Sequence, residues 1–285
     1  MSQTLLLELH KQVVYHNQSA LDLLDRHAEL SRQQLQQCFE NGAVWLESKG
    51  KPQRLLDPEF KLTPGQKIHL YCNEGTLTAC PFTPHLVADY EVFSIWNKPS
   101  GMLSQGSKWG DHWALYRWIK QHYWAQRETY ITHRLDRFTS GLIIVAHDAT
   151  TNKKLHRLFE AGEIHKTYRA IVTGLITEQQ PFTIQTPIDQ KPAQTQIRVI
   201  DVAPDTQRSL LELEPTTGRK HQLRKHLAET GHPVINDRLY GQPPFSGDLM
   251  LQASTLEFIH PQDGSPVQVT LDNTELLRIE KPSSV

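Results

Sequence analysis

The stretch His133-Arg134-Leu135-Asp136-Arg137-Phe138-Thr139-Ser140-Gly141-Leu142-Ile143-Ile144-Val145-Ala146 decides how the rest of this sequence is interpreted. Its first nine residues form a polar loop that places the carboxylate of Asp136 between two arginines, Arg134 and Arg137. The unbroken apolar run that follows Gly141 indicates a strand that is buried on both faces. Taken alone, the loop is a turn whose aspartate caps backbone N–H groups, because a short motif carries a high false-positive risk. The residues downstream must therefore decide whether Asp136 is a cap or a reactive group.

The composition is that of an ordinary globular protein longer than one average domain. Of the 285 residues, 38% are hydrophobic and 21% are charged, so we expect one large domain and a small one. No segment approaches the roughly eighteen consecutive apolar residues of a membrane helix. The N-terminal residues lack the basic flank and long apolar core of a signal peptide, so we expect a cytoplasmic protein. The three cysteines show no CxxC spacing, which argues against disulfides and a cysteine zinc site.

The sequence offers no cradle for a nucleotide cofactor and no clear metal site. Neither GxxxxGK[ST] nor GxGxxG occurs in the chain, although these are the loops that bind phosphates in nucleotide-dependent enzymes. Fifteen histidines are present, but the spacing of His221 and His226 puts them on different faces of a predicted helix. His156 and His165 lack a third ligand. We therefore expect an activity without cofactor or metal.

The charge balance limits any nucleic-acid site to a local patch. The formal net charge is −1, whereas proteins that bind polyanions by bulk electrostatics usually carry a clear positive excess. The most positive short segment is 219–226, Arg-Lys-His-Gln-Leu-Arg-Lys-His. Such a cluster is more often a solvated helix face, so it does not support RNA binding by itself.

The first part of the chain predicts a small α/β module. Its pattern gives two short helices, of which the second begins after Ser31 as N-cap and ends near Asn41 and Gly42. Strands are predicted at residues 43–47 and 67–71, and the proline-containing stretch 78–85 indicates a linker. The predicted boundaries are a module at 1–80, a linker at 81–87 and a large domain at 88–285.

The large domain predicts an α+β fold built on a mostly antiparallel, mixed sheet with flanking helices. Helices are expected at 112–125, at 150–162 with Thr150 or Thr151 as cap, and from a cap at Thr216 or Thr217 to Gly231. Strands are expected at 90–96, 165–172, 194–202, 208–214 and within 250–271. This order has too many consecutive strands and too few crossover helices for a doubly wound parallel sheet.

Three separated blocks give the sequence a specific resemblance. Residues 133–141, 163–170 and 217–226 occur in the order and rough spacing of the RluA-type pseudouridine synthases, which the chain resembles from about residue 88 onward. Further matching blocks lie at 97–101, 231–233, 237–241 and 250–253. The N-terminal module resembles, more weakly, a small RNA-binding domain first described in a ribosomal small-subunit protein. It is a degenerate version, because residues 1–75 hold eight Lys and Arg against nine Asp and Glu.

The resemblance implies an isomerase that converts specific uridines of ribosomal or transfer RNA to pseudouridine without a cofactor. Asp136 matches the catalytic aspartate, which attacks the anomeric carbon or removes a neighbouring ribose proton. Arg224 matches its basic partner, and an adjacent arginine favours the ionised carboxylate. Tyr168 matches an aromatic residue that packs against the target base, and Leu251 matches an apolar residue of the same pocket. Arg134 resembles the side chain that fills the gap left by the flipped base.

Two departures and two alternatives accompany this interpretation. Phe138 stands where a polar residue is usual, and Ser104-Gln105 replaces an expected His-Pro pair. One alternative is a non-catalytic RNA-binding or RNA-folding protein that keeps the fold and tolerates loss of Asp136. The other is a glycosidase acting on free nucleosides, which would usually need a second carboxylate. The sequence leaves the oligomeric state open, and nothing in it demands more than a monomer.

Overall fold

The computed structural model describes residues 6–279, and the chain divides into two compact units. Unit 1 contains Met1–Phe82 and Gln105–Tyr123, whereas unit 2 contains Thr83–Ser104 and Trp124–Val285. The sequence placed 105–123 in the large domain, so the structure differs from the predicted boundaries in this segment. Among the described residues, no helix is long and apolar enough to cross a membrane.

Unit 1 is a four-stranded antiparallel sheet packed on short helices. The sheet order is β1-β4-β2-β3, with β1 at Leu6–Gln12, β2 at Val44–Ser48, β3 at Lys51–Arg54 and β4 at Lys67–Asn73. The helices are α1 at Ala20–Asp25, α2 at Arg32–Glu40 and α3 at Leu115–His122. Ser31 caps α2 through a capping box with Gln34, and the helix ends at Asn41, as predicted. The core of this unit is built from buried aliphatic and aromatic side chains, including Leu24, Leu35, Phe39 and Leu70.

Polar contacts explain why residues 105–123 belong to unit 1. The carboxylate of Asp111 is buried and pairs with Arg54 at 3.5 Å. The Trp45 indole donates to the carbonyl of Lys108 at 3.1 Å, and the Thr76 hydroxyl donates to the carbonyl of Trp109 at 2.9 Å. These partners are far away in sequence, so the local pattern gave no signal for them.

Unit 2 carries a sheet of ten strands with order β10-β11-β12-β9-β13-β8-β6-β5, to which β14 adds beside β13 and β7 beside β8. The first five strands are β5 at His85–Asp89, β6 at Phe93–Lys98, β7 at Tyr130–Ile131, β8 at Ser140–Ala146 and β9 at His165–Thr173. The others are β10 at Phe182–Ile184, β11 at Thr195–Ala203, β12 at Arg208–Pro215, β13 at Leu251–Ile259 and β14 at Pro266–Thr270. Among the strands that the structure describes in this unit, all pairings are antiparallel except that of β8 with β13, which confirms the predicted α+β class with a mixed sheet.

The helices and the first strand of unit 2 correct several sequence expectations. The predicted linker 81–87 overlaps β5, which begins at His85 and pairs with β6 at the sheet edge. Helix α4 spans Ala149–Ala161 and is capped by Asp148, which accepts from the Thr151 amide, rather than by Thr150 or Thr151. Helix α5 spans Gln222–Glu229 and begins later than the predicted caps Thr216 and Thr217. Thr217 instead donates to the side chain of Gln222 at 2.7 Å.

Strand β8 lies in the interior of the sheet, as its apolar run predicts. Every residue from Gly141 to Ala146 is buried. Gly141 has φ +106°, and a Cβ at this position would lie 2.1 Å from the carbonyl oxygen of Ala253 in β13. Only glycine allows the two backbones to approach this closely. Gly141, at the end of the polar loop, therefore allows the loop to lie directly beside β13.

Candidate active site

Asp136 lies in the tight loop that leads into β8. The Thr139 amide donates to the carbonyl of Asp136 at 3.1 Å, which closes a turn around Arg137 and Phe138. The preceding residue is held from both sides, because the hydroxyl of Ser104 donates to the carbonyl of Leu135 at 2.8 Å and accepts from its amide at 3.1 Å. Ser104, which departs from the family pattern, therefore fixes the backbone next to Asp136.

The segment after β6 clamps the other side of this loop. The Lys98 ammonium is fully buried and donates to the carbonyls of Pro99, Met102 and Arg137 at 2.9–3.1 Å. Burial lowers the pKa of Lys98 to about 7, although the charge of Asp136 opposes this shift. The Gly101 amide also donates to the carbonyl of Arg137 at 2.9 Å. The sequence match at 97–101 includes Lys98 but did not indicate that its side chain anchors the loop.

Arg224 connects the carboxylate of Asp136 to a second, buried carboxylate, that of Asp237. Its Nη1 lies 3.4 Å from Oδ2 of Asp136, whose side chain is 33% exposed. Its Nε and Nη2 donate to the two oxygens of Asp237 at 2.7 and 2.6 Å. This bidentate geometry fixes the guanidinium plane and leaves Nη1 for Asp136. The predicted pairing of Arg224 with Asp136 is therefore present, whereas the role of Asp237 was missed, although it begins the matched block at 237–241.

The ionisation of Asp237 follows from its contacts. Burial would raise the pKa of its carboxyl, but hydrogen bonds from Arg224 and from the amides of Leu239 and Tyr240 outweigh burial and lower it. The side chain of Asp237 is 0% exposed, so it is closed off from solvent and substrate. Asp136 is the member of this carboxylate pair that a ligand can reach.

His221 makes a second contact with Asp136, and Tyr240 contacts the His221 ring; sequence reasoning missed both residues. The Nε2 atom of His221 lies 3.7 Å from Oδ1 of Asp136, and its Nδ1 lies 2.9 Å from the hydroxyl of Tyr240. The two rings meet edge to face at 5.7 Å between centroids. Burial lowers the pKa of His221, although the charge of Asp136 opposes this shift.

Tyr168 and Leu251 lie on adjacent strands beside the loop. Tyr168 in β9 faces Ala253 of β13 in the antiparallel register, and β13 begins with Leu251. Tyr168 packs against the apolar cluster that contains Leu251. Burial and the negative charge of Asp136 raise the pKa of Tyr168. The structure thus brings together Asp136, Tyr168, Arg224 and Leu251 from four separate parts of the sequence.

Arg134 and Phe138 lie on the solvent side of the loop. Arg134 is exposed, and among residues 6–279 it has neither a hydrogen-bond nor an ion-pair partner. Phe138 is 44% exposed, and the guanidinium of Arg137 lies 5.3 Å from its ring centroid. Arg134 is therefore not among the side chains that converge on Asp136.

The basic segment 219–226 is not a simple solvated helix face. Arg224 and His226 are buried. The Nδ1 atom of His226 forms a hydrogen bond of 2.9 Å with the hydroxyl of Thr195. Lys225 pairs with Asp189 at 3.0 Å. Much of the charge that made this segment conspicuous is therefore compensated inside the unit. Within the described part of the chain, no group of three or more His, Cys, Asp or Glu side chains could hold a metal ion.

Known proteins match the region that builds this site. Residues 92–229 match the family described as RNA pseudouridylate synthase. The tRNA pseudouridine synthase C of Pectobacterium carotovorum subsp. carotovorum is 33% identical over an alignment of 230 residues. This alignment covers 67% of this chain and 59% of that relative. The dual-specificity RNA pseudouridine synthase RluA of Escherichia coli K12 is 35% identical over 207 residues, which cover 65% of this chain and 92% of that relative.

A solved structure agrees with these sequence matches. Human RNA Pseudouridylate Synthase Domain Containing 1 superposes with a TM-score of 0.56 and 26% identity, covering 68% of this chain and 85% of that chain. The matched region includes Asp136, Tyr168 and Arg224, which the fold brings together. This chain therefore belongs to the RluA-type family of RNA pseudouridine synthases.

Proposed function

We propose that this protein isomerises selected uridines of structured RNA to pseudouridine, with Asp136 as its catalytic carboxylate. The observation that carries the proposal is the setting of Asp136: a partly exposed carboxylate contacts the buried cation of Arg224 and lies beside the aromatic ring of Tyr168. A reactive group that must approach a nucleotide needs this combination of access and a fixed cation.

The chemistry needs one carboxylate and no external reactant. The bond between C1′ and N1 of the uridine breaks, the uracil rotates, and C5 bonds to C1′. A proton leaves C5 and N1 gains one, so the product is an isomer of the substrate. Asp136 attacks the anomeric carbon or removes a neighbouring ribose proton, and in both steps Arg224 lies 3.4 Å from the carboxylate oxygen.

The pocket residues fit the handling of a detached base. The flat ring of Tyr168 can hold a uracil by stacking without fixing its orientation, which allows the base to rotate. Leu251 supplies an apolar wall beside it. Arg134 is exposed on the loop that carries Asp136, where an inserted guanidinium can recover part of the cost of flipping, about a few kcal/mol, by stacking and phosphate contact.

The substrate is part of the same proposal. One relative is named a tRNA pseudouridine synthase, and another is named a dual-specificity RNA pseudouridine synthase. We propose transfer or ribosomal RNA as the substrate here. We also propose that the enzyme acts in the cytoplasm as a monomer. No cofactor takes part in the proposed reaction, because the isomerisation balances without one.

Tritium release from RNA labelled at C5 of uridine tests the activity directly. The wild-type protein should release tritium into water, because C5 loses its hydrogen when the new carbon–carbon bond forms. Asp136→Asn should bind the same RNA and release none. Asp205→Asn, which changes an exposed aspartate of unit 2, is the matched control and should keep full activity.

The same assay separates the alternatives. A non-catalytic RNA-binding protein would release no tritium in any form, and its RNA binding would be unchanged by Asp136→Asn. A nucleosidase that acts on free nucleosides would leave the labelled RNA unchanged, and from free uridine labelled at C5 it would release uracil that still carries the label. Full tritium release by Asp136→Asn would contradict the proposed role of this residue.

A further inference from the structure

His221 occupies a strained position for a histidine. It precedes α5 as the N-cap with φ 56° and ψ 26°, and its side chain makes no capping hydrogen bond to the helix. A positive φ is uncommon and costly for residues other than glycine, although asparagine, aspartate and histidine adopt it more often than the rest. Strain of this kind persists where surrounding contacts demand it. Here the ring contacts Asp136 through one nitrogen and Tyr240 through the other.

The two contacts decide where the imidazole proton lies. Asp136 as a carboxylate can only accept a hydrogen bond, whereas the hydroxyl of Tyr240 can donate or accept. A neutral ring with its proton on Nδ1 would direct the Nε2 lone pair at the carboxylate, which is repulsive. With the proton on Nε2, the N–H faces Oδ1 of Asp136, and Nδ1 accepts from Tyr240. The second arrangement satisfies all three groups.

We propose that His221 is a positioning residue for Asp136, holding Oδ1 through Nε2–H while Arg224 holds Oδ2, with Tyr240 fixing the imidazole tautomer. This inference rests on the proposed function. The separations of 3.7 Å and 3.4 Å to the two carboxylate oxygens are longer than ideal hydrogen bonds. Catalytic contacts of this kind are often loose in a free enzyme and shorten around the substrate.

The charges around His221 agree with a neutral, donating ring. Asp136 and Asp237 favour the protonated imidazole, whereas Arg224 and Lys220 oppose it. Burial also opposes protonation and lowers the pKa of the ring overall. The ring therefore donates to Asp136 as a neutral group. It orients the carboxylate without transferring a full proton to it.

Two substitutions separate this role from simple packing. In His221→Gln the side-chain amide reaches the position of Nε2, whereas in His221→Asn it ends at the position of Nδ1. Asparagine keeps the tolerance for a left-handed backbone and can keep the contact with Tyr240, but it loses the contact with Asp136. His221→Asn should therefore lower kcat by roughly 10- to 100-fold, as expected for a lost hydrogen bond to a charged group.

The kinetic pattern makes the test decisive. KM for the RNA should change little in His221→Asn, and His221→Gln should recover most of kcat, with both variants melting near the wild-type temperature. Wild-type kcat in His221→Asn, or equal losses in the two variants, would overturn the inference. If Asp136→Asn is inactive in the same assay, the proposed function stands even where this inference fails.

A spectroscopic measurement does not depend on activity. The ¹⁵N chemical shifts of the His221 ring should report the Nε2–H tautomer in the wild-type protein near neutral pH. Tyr240→Phe removes the donor to Nδ1 and should shift the ring toward a tautomer mixture. A wild-type ring protonated on Nδ1 alone would contradict the arrangement.

Discussion

At the scale of single residues, Arg224 has two partners with different demands. Asp237 holds the guanidinium by two short hydrogen bonds of 2.7 and 2.6 Å in a buried site. Asp136 contacts the remaining nitrogen at 3.4 Å on the exposed side. The buried pair therefore fixes the guanidinium, and the guanidinium in turn orients the carboxylate of Asp136. Resemblance to a family could predict Arg224 as a partner of Asp136, but the role of Asp237 depends on a contact that only the folded chain creates.

Asp237→Asn should lower both stability and activity. It removes the buried counter-charge of Arg224 and leaves only the partly exposed carboxylate of Asp136, 3.4 Å away. Breaking a buried ion pair typically costs about 3–5 kcal/mol. The stability advantage of the wild type over Asp237→Asn should be fully present above pH 3.8, which is the ordinary pKa of an aspartate. The reason is that the pKa of Asp237 is lowered in the folded protein. This advantage should be lost as the pH falls below 3.8. Urea unfolding of both proteins across pH measures the difference, and equal stabilities at neutral pH would contradict this prediction.

Lys98 should make stability depend on pH in a higher window. Its pKa falls from 10.5 to about 7 in the folded protein, so between these values the unfolded chain binds a proton that the folded chain does not. Wild-type stability should therefore rise relative to Lys98→Met as the pH increases from about 7 toward 10. Urea unfolding of both proteins at several pH values measures this change. A stability difference that is constant over that range would show that Lys98 titrates normally.

At the scale of elements, the junction of β8 with β13 brings the site together. The loop with Asp136 ends at Gly141, which pairs with Ala253 in the only parallel contact among the described strands. On its other side, β13 pairs with β9, which carries Tyr168. The two strands thus set the spacing between the carboxylate and the aromatic ring. Their alternation and apolar runs were visible in the sequence, but their neighbours in the sheet were not.

Gly141→Ala should disrupt this junction. The new Cβ would lie 2.1 Å from the carbonyl oxygen of Ala253, and φ at this position is +106°. Because the obstacle is backbone, relief requires separation of β8 from β13, so we expect a loss of at least about 2 kcal/mol in the free energy of unfolding. Gly218→Ala is the control, because a methyl group at that position would have no atom within 4 Å. Similar stabilities for the two variants would contradict the importance of the junction.

Some elements were predictable and others were not, for physical reasons. The capping box at Ser31 is local and was predicted, and β9, β11 and β12 followed their alternation. Strand β3 has the sequence Lys-Pro-Gln-Arg and no apolar pattern, so only pairing with β2 makes it a strand. In β1, exposed and partly buried side chains alternate, and this pattern could have predicted the strand.

At the scale of the whole molecule, the division into units crosses the order of the sequence. Residues 105–123 lie within the stretch of sequence predicted for the large domain, but they fold as part of unit 1. Their buried ion pair between Asp111 and Arg54 joins positions that no local pattern connects. The sequence predicted two domains, but a linear boundary between them could not describe this exchange.

Hydrogen exchange should reveal the two units as separate cooperative bodies. Phe39→Ala removes a fully buried side chain of the unit 1 core, a change that typically costs about 3–5 kcal/mol. Amides of 105–123 should then exchange faster together with those of β4, whereas amides of β8 and β13 should keep their protection. Unchanged protection at 105–123, with faster exchange in β4, would contradict the assignment of this segment to unit 1.

We propose Asp136 as the carboxylate that converts uridine to pseudouridine in RNA. The most direct measurement maps pseudouridines across total RNA from cells that lack this protein and are complemented with the wild type, Asp136→Asn or Asp205→Asn. We expect specific sites that appear with the wild type and Asp205→Asn and stay absent with Asp136→Asn at equal protein levels. Restoration of the same sites by Asp136→Asn would contradict the claim.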